Sequence, residues 1–351
     1  MFPLTNLTPF AAEGLWTRDE SGQEVWLVAI KASFEIDPAG EQVPLKKQIP
    51  VNMAPVFSTD AKELVDDDDF HIEKKHTDVL IEGHAYAAGG KPNVETTARM
   101  KIGELDKIVR VTGDRIFVPG PVSVRMTNPE PFIRLPISWR RTYGGTDLEA
   151  SSPDWDQRNP VGTGFAVNPQ RLIGKAAPNF EYQDAPYRDH RSGRPAGFGP
   201  IAAHWLPRAG YAGTYGKEWE KTRNPLLPHD FNRLHYQCAP QDQQTRLPLV
   251  GYEDVRLGGL TADGFMQFLL PRVTFDITSH FKNQPDIKHK GASIHTLRIR
   301  PDDRQFVITW LSALPVPYDE EKLSTTTIRI RRRTGISDAI SRTGVWQGPT
   351  R

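Results

Sequence analysis

Cysteine is almost absent from this chain, with Cys238 the only one. One thiol cannot close an internal disulfide, and a zinc site built on cysteines is excluded with it. An excess of charge is missing too, because 44 Lys and Arg stand against 43 Asp and Glu. A dedicated nucleic-acid binder carries a basic surplus, so nucleic acid is not an expected partner. No apolar run approaches the roughly 18 residues of a bilayer-spanning helix, and no membrane partner is expected. The opening MFPLTNLTPFAAEGLW has no Lys or Arg ahead of its apolar residues, which is unlike a secretory signal, so the expected location is the cytoplasm.

What the chain has in surplus is proline, 30 in 351 residues, where a background of about 5% would give roughly 18. Each proline removes a backbone donor and fixes φ, so long helices are largely excluded. Seventeen of the 30 lie between Pro119 and Pro248, together with Trp139, Trp155, Trp205 and Trp219. That central stretch has little room for strands of any length.

The two flanks show the period-two alternation of half-buried strands. In VWLVAIKASFEI one face collects Trp26, Val28, Ile30, Ala32, Phe34 and Ile36; in NVETTARMKI another collects Val94, Thr96, Ala98, Met100 and Ile102. IVRV and IFVPG flank Thr112-Gly113-Asp114-Arg115 and read as a hairpin. GFMQFLLPRVTFDI, ASIHTLRIR, QFVITWLSAL and TTTIRIRRR repeat the pattern, with Pro271 as an interruption and Asp302-Asp303 as a turn. Short helices are expected at Thr59 to Val65, Lys217 to Arg223 and Asp230 to Gln237, the last capped by Asp230. The fold class is therefore mainly β: an antiparallel, sandwich-like core with a long Pro/Gly-rich irregular central segment and a few short helices. One unit is expected over residues 1–335, with 119–248 as its central excursion and 336–351 as a flexible polar tail.

Several constellations invite chemistry. Asp66 to Asp69, near His71 and His76, suggests a cation site, but adjacent carboxylates repel and ordinarily stay solvated, which favours an exposed loop. His235 and Cys238 are close enough to share a face, yet no third group orients them and a lone cysteine is usually a buried small hydrophobe. Asp189-His190-Arg191 and His229-Asp230 are acid-histidine neighbours, which on a strand would point to opposite faces. Asp154 and Asp156 flank Trp155; with the aromatic middle, they support an alternative reading as a glycan-binding module or glycoside hydrolase. Gly162-Thr163-Gly164 lacks the third glycine of a dinucleotide fingerprint and reads as a turn. Arg329, Arg331, Arg332 and Arg333 sit on an alternating segment, either as a charged edge that resists aggregation or as a site for an acidic partner. No cofactor, metal or catalytic residue is expected.

The central third carries longer strings: PISWRRTYGGTD, NPVGTGF, FGPIAAHWLPRAGYAGTYGKEW, RNPLLPHDFNRLHYQCAPQDQ and LVGYEDVRLGGLTADGFMQFLLP. In this order and spacing the chain resembles a bacterial family, long filed as a domain of unknown function, whose members accompany type VI secretion loci. The resemblance implies a non-enzymatic cytoplasmic adaptor or chaperone. Its partners would be a type VI effector protein and the spike, meaning a VgrG-like spike protein, its PAAR-type tip protein, or both. Beside that implication stands a reading of the residues. Arg141, Tyr143, Trp205, Arg208, Tyr211, Tyr215 and Trp219 in the central segment are candidate partner contacts, the aromatics as rigid anchors. Arg329 and Arg331 are candidates for strand addition at a sheet edge. Gly144, Gly145, Gly162 and Gly164 read as left-handed turn positions.

Overall fold

A computed structural model describes residues 3–335, and the chain in it is mainly β. The strands that build the core are, in chain order, β1 (Leu4–Asn6), β2 (Ala11–Arg18), β3 (Glu24–Ile36), β4 (Asp78–Ile81), β5 (Glu95–Ile102), β6 (Leu105–Thr112) and β7 (Phe180–Tyr182). They continue as β8 (Asp254–Gly258), β9 (Phe265–Leu269), β10 (Arg272–Phe281), β11 (Ile287–Lys288), β12 (Ser293–Arg300), β13 (Gln305–Pro315) and β14 (Leu323–Thr334). Between residues 119 and 248 only strands of two or three residues form, as the proline density predicts.

Three sheets result. The first runs β2-β3-β13-β12-β4, antiparallel except for the parallel β12–β4 pair. A second runs β7-β6-β5-β8-β9, antiparallel throughout, and a third runs β1-β14-β10-β11. Pro271 explains the division between the last two. It cannot donate to a ladder, so β9 ends before it and the chain re-enters as β10 in a different sheet.

The alternating faces meet in one apolar cluster. Trp26, Ile30 and Phe34 of β3, with Phe306 and Trp310 of β13, share it with Met100, Phe268, Phe275 and Ile328 of the other two sheets. Phe306 stacks on Phe34 at 5.0 Å and on Phe268 at 5.1 Å, and Phe275 meets Trp310 edge-on at 5.3 Å. Trp26 Nε1 donates to Thr326 Oγ1 at 2.9 Å, so the buried indole keeps a partner. Each such buried side chain contributes about 1.5–3 kcal/mol, which is what holds the sheets face to face.

Local expectations fared unevenly. β3 is not half-buried: Val25, Leu27 and Ala29 on its other face pack with Val51, Phe70 and Leu311 under the segment that follows β3. β6 and the short strand Phe117–Pro119 do not form a hairpin; β6 pairs with β5 and β7, and Phe117–Pro119 with Val124–Met126. Gly113 is required for close approach there, because a Cβ would lie 1.8 Å from the Glu130 carbonyl oxygen. Residues 59–65 do not form a helix but the turn and one arm of a hairpin between Val56–Phe57 and Leu64–Asp66. Helix α1 (Lys217–Thr222) forms as expected. The turn after Asp230 is a 3-10 helix, Arg233–Tyr236, capped by Asn232, while the Asp230 carboxylate instead accepts from Thr214 N and Oγ1. The polar tail 336–351 lies outside the described residues.

Candidate functional site

The irregular middle is pinned to the sheets by tryptophan and asparagine rather than by strands. The turn Trp139–Arg141 is capped by Ser138, and the Glu63 carboxylate accepts from Trp139 N at 2.9 Å. The Trp139 indole is buried, donates to the Pro200 carbonyl at 2.8 Å and meets Trp205 edge-on at 6.1 Å. Two distant strings, WRRTYGG and FGPIAAHW, are thereby locked together. A third joins through Asn159, which is fully buried and whose Nδ2 faces the Trp139 carbonyl, Thr142 Oγ1 and the Tyr143 carbonyl at 2.8–2.9 Å. Tyr143–Gly144 and Thr163–Gly164 then pair in parallel.

Glycine makes this approach possible. Gly144, Gly145 and Gly164 have φ of +145°, +119° and +95°, a region side chains with a Cβ avoid. Gly162 has no such φ, contrary to expectation; a Cβ there would fall 2.7 Å from the Thr142 carbonyl oxygen and 2.8 Å from Gly144 Cα. Its requirement is space.

The outcome is a groove of about 590 Å³ whose walls are Gly144–Thr146 and Pro160–Phe165, with Leu148, His204 and Trp205 along it and Lys62, Arg140 and Lys175 at its rim. Leu148 is 69% exposed. Arg140 is held by Asp60 at 2.5 Å. The channel is concave and largely apolar, backbone-lined with cations at its edge, which are the features of a ligand-binding site. The sequence reading missed Leu148, Phe165, His204 and Asn159; the recurrence of Asn-Pro with closely spaced glycines was the available signal for the last.

The residues singled out from sequence do not gather into one surface. Tyr143 and Trp205 are buried at 2% and 1% exposure and serve as the groove's support. Arg208 is buried as well, bonded to the carbonyls of Ile201 and His235 and paired with Asp67 at 2.8 Å; it is an internal tie, not an exposed contact. Arg141 clasps Asp114 and Asn179. Tyr211 is half-buried. Tyr215 is exposed and lies edge-on to Trp219 at 4.8 Å, whose Nε1 donates to the Leu226 carbonyl. Arg329 and Arg331 are exposed on β14.

The acidic run is the largest departure from expectation. It is not a solvated loop: Asp67 and Asp69 are buried. Lys31 lies 2.9 Å from Asp69 and 3.6 Å from Asp66, and Arg298 lies 2.6 Å from Asp66. Burial, then the neighbouring Asp67 charge, raises the Asp68 pKa to about 6, against the opposing pull of the Phe70 N–H, Lys74 and Arg208. Beside it, Lys74 and Asp78 form a buried pair at 2.8 Å. Cys238 touches that pair, and burial pushes its thiol well up, which leaves it unreactive.

Of the remaining pairs, Asp189 and His190 do meet, at 2.7 Å, because they lie in a turn and not on a strand. Asp156 is buried and committed to Arg158 through two hydrogen bonds of 2.9 and 2.5 Å, whereas Asp154 is half-exposed near Arg191. The two carboxylates beside Trp155 are thus in different surroundings, and Asp156 is occupied by its own cation. Gly162-Thr163-Gly164 is not a plain turn, since Thr163–Gly164 pairs as a short strand with Tyr143–Gly144, and no α-helix follows it among the nearby described residues.

Against known proteins, the chain belongs to the bacterial family described as "Uncharacterized protein conserved in bacteria (DUF2169)", whose model matches residues 21–311. No curated protein and no solved structure matches the chain.

Proposed function

We propose that this member of the family is a non-enzymatic adaptor of the type VI secretion system, which holds a toxic effector in the cytoplasm and helps load it on the spike or its PAAR-type tip. One observation carries the reading. Three of the strings on which the resemblance rests, WRRTYGGTD, NPVGTGF and AAHW, line a single groove, the last of them well separated in sequence from the other two. Their convergence on a backbone-lined channel with an exposed leucine supports the reading of a polypeptide-binding surface.

Co-expression with the toxin gene nearest to this one tests the proposal. A stable co-purifying pair is expected. Leu148→Glu should abolish co-purification while leaving the thermal midpoint within a few degrees, since Leu148 is largely exposed. Normal secretion of the toxin from cells lacking this protein would overturn the adaptor reading. Capture of a glycan on an array, lost in Asp154→Asn, would favour the carbohydrate reading in its place.

A further inference from the structure

The C-terminal strand β14 is paired unequally on its two sides. Along one side β10 accompanies it from Leu323 to Thr334. Along the other, β1 covers only Thr326 to Ile328, and the last bond runs from Leu7 N to the Ile328 carbonyl at 3.0 Å. From Arg329 to Arg332 no strand among the described residues pairs with that edge. Thr326 N and the Ile328 carbonyl both serve this side, so by the two-residue period Ile330 presents the next backbone groups to it.

The open portion is also where unpaired positive charge collects. Arg329, Arg331 and Arg332 are exposed, and among the described residues none has a carboxylate within ion-pair distance; Asp276, opposite Arg329 on β10, pairs with Lys288 at 3.2 Å, and Arg272, opposite Thr334, has no carboxylate at that distance either. Arginines elsewhere in the chain are commonly matched, as Arg99 is by Asp106 and Arg233 by Glu20. Arg331 stands at a register shift between Ile330 and Arg332, and the positive charge along this edge resists pairing with a like strand. A second copy of this chain would bring arginine against arginine. A strand carrying carboxylates would not.

We propose that the edge of β14 beyond β1 is a docking site for an acidic, extended segment of a partner protein, which adds as a further strand to the third sheet. Main-chain bonds supply the attachment, and carboxylates beside Arg329 and Arg332 supply the selection. The site shares no residue with the groove and stands whether or not the groove holds an effector.

The test uses the full chain and a labelled synthetic peptide of alternating Glu and Val, followed by fluorescence anisotropy at low and high salt. The acidic peptide should bind and its Lys-Val counterpart should not. Two lost cross-strand pairs, with the neighbouring Arg331 charge removed as well, should weaken binding about tenfold or more in R329E/R331E/R332E, with R329Q/R331Q/R332Q as the milder variant if reversal harms folding. N-methylation of alternate peptide amides should abolish binding, because strand addition needs those donors. Undiminished binding of the N-methylated peptide or of both variants would overturn the proposal. So would tighter binding of a single-stranded DNA oligonucleotide, which would make the patch a polyanion surface instead.

Discussion

Asp68 lies in the middle of four consecutive aspartates, three of which the fold supplies with cations from remote positions: Lys31, Arg208 and Arg298. Among the described residues Asp68 receives no such direct partner; His71 Nδ1 is 3.7 Å away, and burial pushes the His71 ring well below its usual range, which keeps it neutral. With a folded pKa of about 6 against 3.8 unfolded, the native state holds the extra proton between these values. The carboxyl therefore costs nothing below about pH 4, and its penalty grows as pH rises to about 6 and is complete above that. A shift of about two units corresponds to at most about 3 kcal/mol. Asp68→Asn keeps an acceptor for the Phe70 N–H and removes the charge. It should raise the thermal midpoint at about pH 7.5 and change it little at about pH 3.5. Calorimetry at the two pH values checks this; an equal shift at both would show that Asp68 is not the titrating group.

Between elements, the long strands were legible because a single face of each alternates, as in β5 and β10, and alternation survives any arrangement of sheets. The contacts that complete β3 were not. Its second face is covered by residues 49–71, whose polar sequence carries no period and whose charges look solvated until Lys31 and Arg298 are brought to them. The groove was half legible. Its strings were visible, but the joint between them is one buried amide, and only the Asn-Pro step ahead of closely spaced glycines hints at Asn159. Asn159→Ala removes donors facing three acceptors and should cost about 2–4 kcal/mol, since the carbonyls of Trp139 and Tyr143 lose buried partners. Urea unfolding measures it. A loss no larger than that of an exposed substitution would mean the groove walls are held by something else.

Across the whole molecule, the two flanks are interleaved and not side by side. β3 lies between β2 and β13, β5 between β6 and β8, and β14 between β1 and β10, so each main sheet draws strands from both ends of the chain. The central excursion contributes β7 to the second sheet and lays Phe198 into the same apolar cluster. A fragment ending at residue 118 keeps β3, β5 and β6 but loses β8, β12 and β13, and it leaves the Trp26-to-Ile36 face without Phe306, Ile308 and Trp310 against it. Burial of that face is the main source of stability, and long-range pairings must form together to achieve it. Residues 1–118 expressed alone should show no cooperative thermal transition, whereas co-expression with residues 119–351 should restore one and the two pieces should purify together. A sharp transition in the isolated fragment would separate the flanks into independent units, and the groove and the arginine edge would then no longer be held on one scaffold.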